Sequence, residues 1–125
     1  MNAVSAQTRH VDADVERWER TYATFQHLTL LVAPAAFLGV IAAVVMWLLK
    51  REESPFLDDH GRESVNFQIS LVIYMIGAGA MTRIVIGIPL IAGVIILGLV
   101  GMTLAARAAN RGEFFRYPMC LRLLD

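Results

Sequence analysis

The run Leu28–Leu49, LTLLVAPAAFLGVIAAVVMWLL, has two incompatible readings. Roughly 22 residues rising ~1.5 Å each reach about 33 Å, enough for the ~30 Å of hydrocarbon in a bilayer. Read this way it is one transmembrane helix, kinked where Pro34 removes a backbone hydrogen bond. In the other reading Thr21–Leu49 folds as a re-entrant hairpin broken at Pro34. Each arm then has about 14 residues or ~21 Å, too short to cross, and its turn needs shielding inside the protein. The single crossing is the expectation. Ala35, Gly39 and Ala43 give that helix a small-residue face for close packing, and Trp47, Lys50 and Arg51 anchor its end at the interface.

Composition agrees with a membrane solvent. Of 125 residues 57% are hydrophobic and 18% charged, too apolar for an ordinary soluble domain of this length. The formal net charge is zero and the basic residues do not cluster, which excludes a nucleic-acid footprint. Cys120 is the single cysteine, so neither an internal disulfide nor a thiolate metal site is expected, and no cofactor is implied.

Ahead of the apolar run, residues 1–10 read as a flexible start with no basic-then-apolar signal pattern. Val11, Val15, Trp18, Tyr22 and Phe25 recur at steps of four and three, which predicts an amphipathic interfacial helix over 11–26 with Asp12 as N-cap. A two-heptad seam to a partner is the competing reading.

Behind it lies a polar connection, 50–64, within the stretch Glu52–Ser70, EESPFLDDHGRESVNFQIS. Ser54 followed by Pro55 has the form of a helix start. Asp58, Asp59, His60 and Glu63 supply carboxylates and an imidazole at helical spacing, the residue types of a metal site or an acid–base pair. One histidine within reach favours a solvated, salt-bridged connection, and Gly61 is a candidate turn. Asn66 and Gln68 enter the second span, 65–82, where amides hold a bundle together or line a path; His27 joins them as a candidate path-lining residue. A break around Gly77–Arg83 leads to the third span, 84–106, in which Gly101, Ala105 and Ala109 form another small-residue stripe. The tail, 107–125, opens with Asn110, Arg111 and a glycine able to take a left-handed cap, Gly112. Glu113, Phe114, Phe115, Arg116 and Tyr117 then suit an aromatic membrane-surface anchor or a docking motif.

Several of these motifs also carry a resemblance: Gln26-His27-Leu28, Trp47 to Phe56, Asp59 to Gln68, and Asn110 to Pro118. In order and spacing they resemble the bacterial domain-of-unknown-function family 4870, related to a membrane component of the chloroplast inner-envelope import machinery. The resemblance implies a helical membrane protein without a settled activity. Where that family has a glycine-proline pair, Ala42 and Ala43 stand here, which favours an unbroken helix.

The chain is therefore read as an all-α integral membrane protein: an N-terminal interfacial helix plus three transmembrane helices in a single membrane domain. Three spans place Lys50, Arg51, Arg62, Arg107, Arg111, Arg116 and Arg122 on one side and Arg9, Arg17, Arg20 and Arg83 on the other, so the central loop and tail are cytoplasmic at the inner membrane. The hairpin alternative moves every basic residue except Arg83 to the cytoplasmic side. The function expected is a non-catalytic subunit or scaffold of a membrane complex, with the bilayer and a membrane-protein partner or further copies around it. Asp59, His60, Glu63, Asn66, Gln68, Asn110, Glu113, Arg116 and Tyr117 are its docking or structural residues. An oligomeric conduit for peptides, ions or small solutes, lined by His27, Asn66 and Gln68, is the alternative.

Overall fold

The computed structural model describes residues 11–32 and 36–124. Within them the chain forms four α-helices: α1 (Arg17–Val32), α2 (Ala36–Lys50), α3 (Pro55–Ala80) and α4 (Gly87–Asn110), with a 3-10 turn, Met81–Ile84, between the last two. Pro34 and Ala35, to which a kink and part of a packing stripe were assigned, lie outside the described residues, as does the segment 1–10.

The helices α1 and α2 do not continue one another. Tyr22 donates its hydroxyl to the Met46 carbonyl (2.8 Å), Gln26 its amide to the Ala43 carbonyl (3.3 Å), and Gly39 packs beside Thr29 and Leu30. Partners thus run in opposite order along the chain, and the two helices lie antiparallel. A single crossing from Leu28 to Leu49 is corrected to a helical hairpin. Its arms, 16 and 15 residues, are about 24 and 22 Å long, short of a ~30 Å crossing. The physical reason lies in Gln26, His27 and Thr29. At the head of a lone spanning helix these polar groups would have no partner within the protein, whereas folding back buries each of them at 5% exposure or less. Gly39 and Ala43 do serve close packing, but of this hairpin.

The interfacial helix over 11–26 is likewise corrected. The helix begins at Arg17, with Glu19 reaching back to the Glu16 N–H (2.8 Å), one half of a capping box. Asp12 instead accepts from the Asp14 N–H in a local turn. Its inward face is Ala23, Gln26 and His27, while Trp18 and Phe25 point outward at 43% and 60% exposure. The predicted stripe is therefore split: Val15 is buried with Tyr22 packed beside it, and Val11, Trp18 and Phe25 are exposed.

Ser54 caps α3 through the Leu57 N–H, with Pro55 opening the helix. That helix runs unbroken through Gly61, where a Cβ would overlap the Trp47 indole; the glycine is there for close approach, not for a turn. The expected spans 65–82 and 84–106 thus become Pro55–Ala80 and Gly87–Asn110. Pro55–Ile84 and Gly87–Asn110 are both long and apolar enough to cross a membrane; a third such helix is not present among the described residues. They pack antiparallel, Phe67 over Gly101 and Leu71 over Gly98. At the tip Val85 adopts φ 68° and Gly87 leaves no room for a side chain, which makes the reversal tight.

One end of this long hairpin is wide and the other narrow. From Phe56 to Leu71 α3 is largely buried beneath α1, α2, the end of α4 and the tail, whereas Ile73, Ile76, Ile84, Ile88 and Ile96 on the narrow end are 44–67% exposed. At the wide end the start of the described chain joins the segment that follows α4, where the Asp12 N–H bonds the Gly112 carbonyl (3.0 Å).

Candidate functional site

Two polar stripes on α3 organise the wide end. His60, Ser64 and Gln68, one turn apart, face α1; Asp59, Glu63, Asn66, Ser70 and Tyr74, at steps of four and three, face the tail.

Against α1, the Gln26 carbonyl accepts from Ser64 Oγ (3.1 Å) and Thr29 Oγ1 (2.7 Å), and the Gln68 amide donates to Thr29 Oγ1 (2.8 Å) and Ser64 Oγ (3.3 Å). Next to this knot a linear relay crosses three parts of the chain. His60 Nε2 lies 2.8 Å from the Glu113 carbonyl, His60 Nδ1 lies 2.8 Å from His27 Nε2, and His27 Nδ1 lies 2.6 Å from the Tyr117 hydroxyl. A carbonyl only accepts, so His60 Nε2 carries the proton. For uncharged rings the rest is then determined: His27 Nε2 donates to His60 Nδ1, and Tyr117 donates to His27 Nδ1. Tyr117 is suited to this, since burial, with the charge of Glu63 adding to it, pushes its phenol well above the ordinary 10 and keeps it a hydroxyl. Its ring stacks on Phe67 at 3.8 Å.

Against the tail, the second stripe satisfies backbone that has no secondary structure of its own. Glu63 accepts from the Tyr117 N–H (3.1 Å) and pairs with Arg122 (3.3 Å). Asn66 accepts from the Leu123 and Leu124 N–H groups and donates to the Leu124 carbonyl (3.2, 2.9 and 3.0 Å). Ser70 accepts from the Leu121 N–H (2.8 Å), and Tyr74 donates to the Met119 carbonyl (2.6 Å). The tail therefore runs along α3 from His60 to Tyr74, turns at Met119 with φ 52°, and returns to Asn66. Irregular chain lacks the partners that a helix supplies to itself, and these side chains provide them for the Tyr117, Leu121, Leu123 and Leu124 N–H groups and for the Met119 and Leu124 carbonyls. The expected aromatic surface anchor is corrected accordingly: Tyr117 is 4% exposed, and Phe114 packs on Phe56. Gly112, at φ 74°, is the left-handed cap that its position suggested.

The acid and histidine cluster does not converge on one point. Asp58 takes the Trp47 indole N–H (2.8 Å) and pairs with Arg62, Asp59 holds Arg116 through two bonds of 2.7 Å, and His60 and Glu63 turn inward as above. Glu113 offers its carbonyl to His60 and its carboxylate to Arg111 (3.1 Å), while Asn110 is exposed at the end of α4. No group of three or more His, Cys, Asp or Glu among the described residues is arranged to hold a metal. His27, Asn66 and Gln68 are buried at 2% exposure or less and hydrogen-bonded, in packed positions instead of along an open path. Gln26, Thr29, Ser64, Ser70 and Tyr74 escaped the sequence reading, although the three-and-four spacing of polar residues from Asp59 to Tyr74 was a visible signal for two of them.

Residues 18–124 match the model of the magnetosome magnetite crystal formation protein family, MamF/MmsF. This corrects the resemblance to the domain-of-unknown-function family 4870 and to the chloroplast import component. No curated protein and no solved structure matches the chain. Since the match covers most of its length, the chain belongs to that family, as a small helical membrane protein.

Proposed function

We propose that this member of the magnetosome magnetite crystal formation family acts in that process as a non-catalytic membrane subunit. The observation that carries the reading is the inward spending of its chemistry. Both ring nitrogens of His27 and of His60, the Glu63 carboxylate and the Asn66 amide are all engaged in holding helices and tail together. What the protein offers outward is an apolar two-helix hairpin and a charged rim that includes Asp59 and Arg116. Such a surface suits association within a membrane and at its edge.

The same arrangement supports a sidedness. The helical hairpin is a re-entrant one, dipping from the wide end, and all described basic residues except Arg83 belong to that end. The positive-inside rule puts the charged rim of that end on the cytoplasmic face, with the protein in the inner membrane or a membrane derived from it. Photocrosslinkers at Ile96 on the narrow hairpin and at Arg51 on the rim test the subunit reading in native membranes. Adducts of defined mass from either position are expected, and monomer alone from both would overturn it. In a Cys120→Ser background, an impermeant maleimide should label Arg83→Cys in intact spheroplasts and Glu53→Cys only after lysis; the reverse pattern would invert the topology.

A further inference from the structure

The seam between α1 and α4 holds a groove of about 450 Å³. Its walls run antiparallel, with Thr24 Oγ1 3.4 Å from the Ala106 carbonyl, so depth can be read along it. Arg107, Asn110 and Arg111 stand at the charged, wide end of the bundle; Leu28, Leu31 and Met102 lie towards the interior of the membrane. Charge is unbalanced at the mouth. Arg111 is paired with Glu113, whereas Arg107 is exposed and has no ionic partner among the described residues. The groove thus presents one uncompensated cation above an apolar channel, in the orientation in which a bilayer lipid presents a phosphate above an acyl chain.

We propose that this seam binds one anionic phospholipid, its phosphodiester held between Arg107 and Arg111 and one acyl chain lying along Leu28, Leu31 and Met102. A single phosphodiester charge balances the one unpaired guanidinium, and the Asn110 amide adds a donor at the same level. A zwitterionic lipid brings its own cation to a mouth that already has a surplus of one. The site is independent of the subunit reading, because it concerns the lipid-facing seam and neither the narrow hairpin nor the Asp59–Arg116 rim.

Native mass spectrometry of the purified full-length chain, titrated with phosphatidylglycerol or phosphatidylcholine, tests it. Phosphatidylglycerol should be retained at least about fivefold better, the effect of roughly one well-placed basic residue. Arg107→Gln should lower retention of phosphatidylglycerol about fivefold and leave phosphatidylcholine unchanged. Thr103→Trp, an exposed position on the groove wall, should displace both lipids by filling the channel, and Arg83→Gln at the far tip should alter neither. Equal retention of the two lipids by the native chain, or native-like retention by Arg107→Gln, would overturn the proposal. Competition by soluble glycerol phosphate at the concentration of the lipid would do so too, assigning Arg107 to free phosphate.

Discussion

From Phe56 to Leu71 α3 carries Asp58, His60, Glu63, Asn66, Gln68 and Ser70 and is largely buried, whereas from Ile73 to Ala80 it carries Tyr74 as its one polar side chain and is largely exposed. α4 mirrors it on one face only: it is largely exposed near Ile88 and Ile96, whereas from Gly98 to Ala109 the face that carries Gly98, Gly101, Met102, Ala105 and Ala109 is buried and Leu99, Val100 and Leu104 stay exposed. In water the hydrophobic effect would demand the reverse, polar outside and apolar inside. In lipid, apolar surface has no cost, and what decides burial is the need of each polar group for a partner. The wide end is therefore a hydrogen-bonded core, and the narrow end is a pair of helices whose neighbours are lipid or another protein.

The sharpest way to break this contrast is to cut the relay. His60→Leu leaves the His27 N–H and the Glu113 carbonyl buried without partners and should cost about 3 kcal/mol, while Ile96→Ala on the narrow end should cost under about 0.5 kcal/mol. Unfolding in mixed micelles measures both, and equal losses would refute the division. Glycine gives a contrast of sign. Gly61→Ala forces a Cβ into the Trp47 indole and should destabilise by about 1–3 kcal/mol with a shift in tryptophan fluorescence. Gly93→Ala, with nothing within 4 Å of its Cβ, should stabilise the helix by roughly 0.5–1 kcal/mol. Asn66→Leu frees the returning arm of the tail, and hydrogen exchange at the Leu123 and Leu124 N–H groups should rise while that of α3 holds; protection unchanged at those two would mean that Asn66 is not their anchor.

Alkaline titration sharpens the picture on one group. The Tyr117 phenol is raised in the folded chain, so its contribution to stability is complete below the unfolded value of about 10 and is lost as pH rises from there to the folded value, by about 1.4 kcal/mol per unit. Tyr117→Phe should flatten that slope, and a slope that persists unchanged would assign it elsewhere. The smallest effect belongs to the rim: Arg116→Gln removes a pair in which the arginine side chain is 46% exposed and should cost under about 1 kcal/mol, less in high salt.

Local signals were legible and distant ones were not. Ser54-Pro55 announced the start of α3, Gly112 the end of α4, and the length of apolar sequence the body of α4, while the polar residues 55–64 hid the first turns of α3. The hairpin of α1 and α2 was legible as the second of two readings, and it ranked second because Leu28–Leu49 satisfies the length of a crossing by itself. What rules that out is that Gln26 and Thr29 find Ser64 and Gln68 38 and 39 residues further on. The tail misled for the same reason: aromatics among charges have the composition of a surface anchor, and the acceptors that draw Tyr117 inward, Glu63 of α3 and His27 of α1, lie far off in sequence. The carboxylates of the central stretch suggested convergence from their proximity in sequence, yet successive helix positions point in different directions, and Asp58 and Asp59 end on different partners.

The relay also dictates an order of assembly. Tyr117 is 90 residues from His27 and Glu113 is 53 from His60. During synthesis, α1 and α2 are complete long before the groups that close their buried histidine exist. The α3–α4 hairpin can insert on its own, since its narrow end asks nothing of the rest. The wide end locks only when the ribosome has delivered the tail, so a chain truncated before Glu113 should reach the membrane and never mature there.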